Sequence, residues 1–214
     1  LFFNIIYQGN INYIKLFLKN CNEHINLDRI SEDDFMILFT YNNTDLIDYI
    51  YSLKNIDFND NINLLKLCVN LNKTEIVRWL FSKFKFIDLH GEDDFCFETA
   101  FVYKNLEMVR LLYLHDSREN FDNYKLNYLR LCSKIKDLDI FKWISEKIDN
   151  LDYTMNDYEL ITNSLVLNNI FVFKYILNNT DLDINFNDSI IITSAFGNNN
   201  EEIIKFLLEK YDNI

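Results

Sequence analysis

Gly91-Glu92-Asp93-Asp94-Phe95-Cys96-Phe97-Glu98-Thr99-Ala100-Phe101-Val102-Tyr103-Lys104-Asn105-Leu106-Glu107-Met108-Val109-Arg110-Leu111-Leu112-Tyr113-Leu114 is the stretch from which the fold is read. Gly91 to Asp94 reads as a helix start, with acids where the dipole and the unpaired N–H groups favour them. Phe97, Ala100 and Phe101 follow at helical spacing, and Lys104-Asn105 breaks the pattern. Leu106 to Leu114 then reads as a second amphipathic helix with Met108, Val109, Leu111 and Leu112 apolar.

The second helix carries a phrase that returns seven times. It reads Ile14-Lys15-Leu16-Phe17, Ile47-Asp48-Tyr49-Ile50, Val77-Arg78-Trp79-Leu80, Val109-Arg110-Leu111-Leu112, Phe141-Lys142-Trp143-Ile144, Phe173-Lys174-Tyr175-Ile176 and Ile204-Lys205-Phe206-Leu207. Successive phrases lie 33, 30, 32, 32, 32 and 31 residues apart. A unit of that length cannot close a core alone and must bury its apolar face against its neighbours. In the first helix a small residue recurs at Cys68, Ala100, Cys132, Ser164 and Ala195, with Ile5 and Leu38 in its place in two units. Three residues earlier stand Phe35, Leu65, Phe97, Leu129, Ile161 and Ile192. A small residue lets two helices approach closely while the larger one fills the space between units.

The links repeat as well. Ile25-Asn26-Leu27, Ile56-Asp57-Phe58, Ile87-Asp88-Leu89, Leu151-Asp152-Tyr153 and Ile184-Asn185-Phe186 alternate apolar, Asx, apolar, and Phe121-Asp122-Asn123 is a weaker version. Such triplets predict short extended links turned by their Asx residue. The expectation is one all-α solenoid over residues 1–214, in units of about 1–27, 28–58, 59–89, 90–121, 122–153, 154–186 and 187–214. It is expected to continue beyond one or both ends of this sequence.

These features resemble the ankyrin-repeat family. The family's Gly-His turn is echoed by Gly9-Asn10, its second helix by Glu107 to Leu112, its paired alanines by Ala100 and Ala195, and its Val-Asn link by Ile184-Asn185. Its Thr-Pro-Leu-His motif survives only as the Leu position, and Asn replaces most turn glycines. The pattern is most similar to the divergent Asn- and Ile-rich ankyrin proteins of large DNA viruses and AT-rich protists. A tetratricopeptide array would bring a Trp, Gly, Tyr and Pro pattern that is missing here, and HEAT-like units run to about 40 residues or more.

The resemblance implies a non-enzymatic protein-interaction module or adaptor that meets a protein partner on its concave and link-tip surface. Alternatives are a structural or virion-associated scaffold packed against neighbouring copies, and an accessory recruitment domain of a larger chain such as a ubiquitin-ligase adaptor. The cell interior, with the host cytoplasm or the virion as its viral versions, is the expected location.

The net charge of −12 argues against general binding to phosphate backbones. No apolar run approaches the roughly 18 residues of a membrane span. Three glycines, at Gly9, Gly91 and Gly197, provide no phosphate loop, and no nucleophile elbow or HExxH motif is present. His24, His90 and His115 lack a second ligand at metal spacing, so no metal, cofactor or catalytic residue is expected. Cys21, Cys68, Cys96 and Cys132 form no CxxC pair and read as reduced thiols.

Tyr49, Trp79, Trp143, Tyr175 and Phe206 read as a packing ladder. The cations Lys15, Arg78, Arg110, Lys142, Lys174 and Lys205 read as a solvated stripe. Four of them are neutralised within the helix by Glu75, Glu107, Asp139 and Glu202, three residues earlier. Two acid triplets exceed what helix capping requires. Glu32, Asp33, Asp34, Glu92, Asp93 and Asp94 are therefore the candidate partner-binding residues.

Overall fold

A computed structural model describes residues 10–21, 32–54, 61–84, 87, 89, 91–116, 121–180 and 190–211. The chain divides into two compact units, Leu1–Asp116 and Ser117–Ile214. The described part of the first holds α1 (Ile11–Cys21), α2 (Glu32–Thr40), α3 (Thr44–Lys54), α4 (Asn61–Asn70), α5 (Thr74–Lys83), α6 (Gly91–Val102) and α7 (Leu106–Leu114). That of the second holds α8 (Phe121–Ile135), α9 (Leu138–Ser145), α10 (Met155–Val166), α11 (Ile170–Asn178), α12 (Ile190–Gly197) and α13 (Glu201–Lys210). Among the described residues there is no strand.

Packing follows one rule in each unit. In the first, α2 pairs with α3, α4 with α5, and α6 with α7, while α2, α4 and α6 pack in series, as do α3, α5 and α7. In the second, α8 pairs with α9, α10 with α11, and α12 with α13, and α8, α10, α12 and α9, α11, α13 form the two series. The boundary at Asp116 and Ser117 falls just before the weakest link triplet. Phe121-Asp122-Asn123 is not an extended link: it forms the first turn of α8.

The turn inside each pair explains why Asn is so common. Asn42, Asn72, Asn168 and Asn199 take left-handed φ angles of 53°, 55°, 56° and 50°. Asn bears that conformation at lower cost than other non-glycine residues. Lys104 and Lys136 stand at the same turn position, at 53° and 56°. The left-handed residue lets the chain close on the helix it leaves. Lys73 N–H donates to Cys68 O at 2.9 Å, Asn105 N–H to Ala100 O at 3.1 Å and Asn169 N–H to Ser164 O at 2.7 Å. In each case the acceptor belongs to the recurring small residue, so turn and close packing share one register.

The next residue caps the second helix. The Oδ1 atoms of Asn43, Asn105 and Asp137 accept the N–H groups of Leu46, Met108 and Ile140 at 2.9–3.0 Å. Asn10 and Asn200 cap α1 and α13 in the same way.

Carbonyls left over at helix C-termini are met by the next pair. Tyr103 OH donates to Asn70 O at 2.8 Å, Asn169 Nδ2 to Ser133 O at 2.9 Å and Asn198 Nδ2 to Leu165 O at 3.2 Å. Lys210 donates to Leu177 O. Asn side chains also ladder directly, Asn105 to Asn72 at 2.6 Å and Asn200 to Asn168. Asn169 combines both duties and is buried, with its Oδ1 also accepting Val172 N–H at 3.4 Å. Asn169→Ala removes a cap and orphans a carbonyl. It should cost about 1–3 kcal/mol in a urea unfolding titration.

The core recurs with the period. Cys68, Ala100, Cys132, Ser164 and Ala195 are all buried, as are Leu65, Phe97, Leu129 and Ile161 three residues earlier. Phrase-opening Ile14, Ile47, Val77, Val109, Phe141 and Phe173 are buried too. The described links are irregular. Leu89 is buried, and Asp152 Oδ1 accepts Thr154 N–H at 2.8 Å and Thr154 Oγ1–H at 2.6 Å in an Asx turn. The triplets at 25–27, 56–58 and 184–186 lie outside the described residues.

Candidate interaction surface

Glu32, Asp33 and Asp34 open α2, and Glu92, Asp93 and Asp94 stand in the first turn of α6. Helix α4 packs against both α2 and α6, so the two triplets are two rungs of a series rather than one cluster. The side chains of Glu32, Asp33, Asp34, Glu92 and Asp93 lie outside the described residues. Asp94 is half-buried, with a left-handed φ of 63°.

The cation stripe is built differently from the sequence expectation. Arg78 does reach Glu75 on its own helix at 3.5 Å, but its shorter bond, 2.7 Å, is to Glu107 of α7. Lys174 crosses from α11 to Glu202 of α13 at 3.2 Å, and Lys205 pairs with Glu201 at 3.4 Å, not with Glu202. Aromatic faces take the same cations: Lys15 lies 5.1 Å from the Tyr49 ring centroid, Lys142 5.6 Å from Tyr175 and Lys174 5.3 Å from Phe206. The cation of one second helix thus rests on the bulky side chain of the next. A long side chain on a helix surface sits about as near the neighbouring helix as its own next turn, and there it also covers a ring. These exposed pairs are each worth about 0–1 kcal/mol and act mainly to hold register.

One rung is reversed. Asp48 stands in the cation place of α3, and the next second helix answers it from its bulky position and its last turn. Trp79 Nε1–H donates to Asp48 at 3.0 Å, and Lys83 pairs with it at 2.5 Å. Tyr51 meets the Trp79 ring edge-on at 5.4 Å, and Lys83 lies 5.7 Å from the Tyr51 centroid. The hydrogen bonds from Lys83 and then Trp79 hold the Asp48 carboxyl below its ordinary value against a smaller opposing effect of burial. A group depressed on folding contributes stability above its unfolded pKa and loses it as pH falls through the folded one. The urea midpoint of the wild type should therefore exceed that of Asp48→Asn near neutrality. That difference should shrink as pH drops below about 4, the ordinary Asp value.

Among the described residues, neither the cysteines nor the histidine is placed as a reactive group. Cys68, Cys96 and Cys132 are buried free cysteines. Burial, with Cys96 nearby as the smaller cause, pushes the Cys68 thiol up to about 12, and burial raises Cys132 well above the ordinary thiol value. Protonated thiols of this kind are poor nucleophiles at neutral pH. His115 stacks on Phe81 with centroids 4.0 Å apart, and burial lowers its pKa. His24 and His90 and the side chain of Cys21 lie outside the described residues. Among the described residues no three His, Cys, Asp or Glu side chains are placed to hold a metal ion, and no helix is long and apolar enough to cross a membrane. A shallow depression between α8 and α10, lined by Leu126, Met155, Leu160 and the 2.8 Å Arg130–Glu159 pair, has room for little more than water.

Sequence reasoning passed over exposed apolar residues at the turns of each unit. The turn residues Tyr41, Tyr103 and Leu167 are exposed at equivalent places in their pairs. In the second unit Val166 is 64% exposed, and Phe171 is 62% exposed in the first turn of α11. The residue two places before the phrase is Asp45, Glu75, Glu107, Asp139 or Glu202 in five other units. Phe171 thus replaces an acid that would suit both water and the helix dipole. Aligning the repeats on the phrase would have exposed the exception. No protein-family model matches the chain, and no curated protein matches it at a significant level.

Proposed function

We propose that the chain is an ankyrin-type array of seven helix pairs serving as a non-enzymatic protein-interaction module, an adaptor that presents variable side chains on a constant framework. Two features support the array: the buried framework recurs at the sequence period, and the turns at Asn42, Lys104, Lys136, Asn168 and Asn199 couple a left-handed residue to the cap of the second helix in the same register. The observation that carries the interaction reading is Phe171, exposed in the first turn of α11 where five other repeats place an acid, with Val166 and Leu167 exposed at the preceding turn. A large apolar side chain held exposed against the repeat pattern is a place where another protein can exclude water. The partner is a protein with an apolar anchor for this edge. Glu32, Asp33, Asp34, Glu92, Asp93 and Asp94 act at longer range on its approach, which makes association dependent on salt.

Partners retained by the immobilised wild-type chain should be compared with those retained by Phe171→Glu and by a variant with all six acids changed to Asn or Gln. Phe171→Glu should weaken binding about tenfold or more with an unchanged urea midpoint, because truncating an apolar anchor costs more than about 1 kcal/mol. The six-acid variant should slow association at low salt. Retention that ignores both variants would overturn the assignment of these surfaces.

A further inference from the structure

The ladder of opposite charges along the second helices changes chemistry at one step. In the first unit Arg78 stands between two carboxylates, Glu75 three residues earlier on α5 at 3.5 Å and Glu107 in the first turn of α7 at 2.7 Å. In the second unit Lys174 of α11 reaches Glu202 in the first turn of α13 at 3.2 Å. Both interhelix pairs join the cation of one second helix to the acid two residues before the phrase on the next. The step from α9 to α11 cannot be made that way, because the acid position of α11 is Phe171.

The exchange leaves a cation over. Lys142 of α9, the counterpart of Arg78, makes no ion pair among the described residues and lies over the Tyr175 ring, 5.6 Å from its centroid. Asp139, the acid three residues earlier on α9, is exposed and does not close on it. Tyr175 follows Phe171 by four residues, so the ring under Lys142 and the exposed Phe171 share one face of α11, a turn apart. An ammonium in water gains little from a carboxylate, but it gains more where apolar contact next to it excludes water.

We infer that the partner segment docking on Phe171 carries an Asp or Glu close to its apolar residue, and that Lys142 receives this carboxylate. The segment thereby fills both the apolar contact that Phe171 offers and the charge that the repeat lacks there. This rests on the reading of Phe171 as the anchor and adds the chemical class of the segment, apolar and acidic. The net charge of −12 disfavours acids at a distance, so the carboxylate is a local feature of the segment and does not set the sign of the whole partner.

The experiment is a selection of randomised displayed peptides on the immobilised 214-residue chain. Peptides held by the wild type and lost on Phe171→Glu should carry Asp or Glu near a large apolar residue. One such peptide is then synthesised with that acid and with its amide. The amide form should bind the wild type about fivefold more weakly. Lys142→Gln should bind the two forms alike with an unchanged circular dichroism signal, and Lys142→Arg should restore the preference for the acid. Phe171-dependent peptides enriched in Lys or Arg would overturn the inference and leave the anchor reading standing. An amide penalty that persists in Lys142→Gln would do the same. A library that yields no Phe171-dependent peptide would overturn both.

Discussion

Phe173→Ala is expected to destabilise the protein by about 3–5 kcal/mol, the range for emptying a phenylalanine site in a core. Phe173 is fully buried on α11, and Phe206 of α13 rests on it edge-on at 6.2 Å. Truncation removes the ring that α13 packs against, and neighbours held in register by Lys210 on Leu177 O and Asn198 on Leu165 O cannot slide in to fill the space. The expected result is a lower urea midpoint, with unfolding of the second unit affected first. A loss below about 1 kcal/mol would mean that the site collapses freely and that α11 and α13 are not locked together.

Leu112→Ala makes the corresponding test in the first unit. Leu112 is fully buried on α7, in the same helix as buried Met108, Val109 and Leu111. The expected cost is about 2–5 kcal/mol, the range for Leu→Ala in a core, part of it from the residual cavity. Helix α7 packs on α6 and α5 and is capped by Asn105, whose side chain is tied to Asn72 and Thr74 of the preceding turn. That anchoring limits relaxation and favours the upper half of the range. Amide exchange should rise in α5 to α7 more than in α10 to α13, because destabilisation in a stack of pairs stays near its source.

The framework was legible because its cause is periodic. Burial at Val77, Val109, Phe141 and Phe173 follows from apolar spacing, and the bounds of α7 were readable to the residue, since Asn105 is a cap and Leu114 ends the apolar run. The link at Phe121-Asp122-Asn123 was misread because Asp and Asn suit a helix start as well as a turn, and α8 uses them for its first turn. The expected Arg78–Glu75 pair is present, but the partner of Lys205 was misassigned and the pairs between helices were missed. Glu75 and Glu107 lie at comparable reach from Arg78, one on its own helix and one on the next, and sequence distance does not distinguish them.

The candidate surface was only partly legible. The acid triplets stand out as composition, whereas Phe171 is conspicuous only against the acids at equivalent positions of other repeats.

Removing one whole repeat, residues 154–186, tests most directly the claim that the chain is an array of equivalent helix pairs. The deletion joins the link at Tyr153 to the segment that follows the equivalent link at Phe186, and it brings α12 and α13 into the places of α10 and α11. If stability is the sum of pair and nearest-neighbour terms, circular dichroism should show a shortened but helical protein that still unfolds cooperatively. Its helical signal per residue should match that of the intact chain. Collapse of the helical signal in the deleted protein would contradict the account.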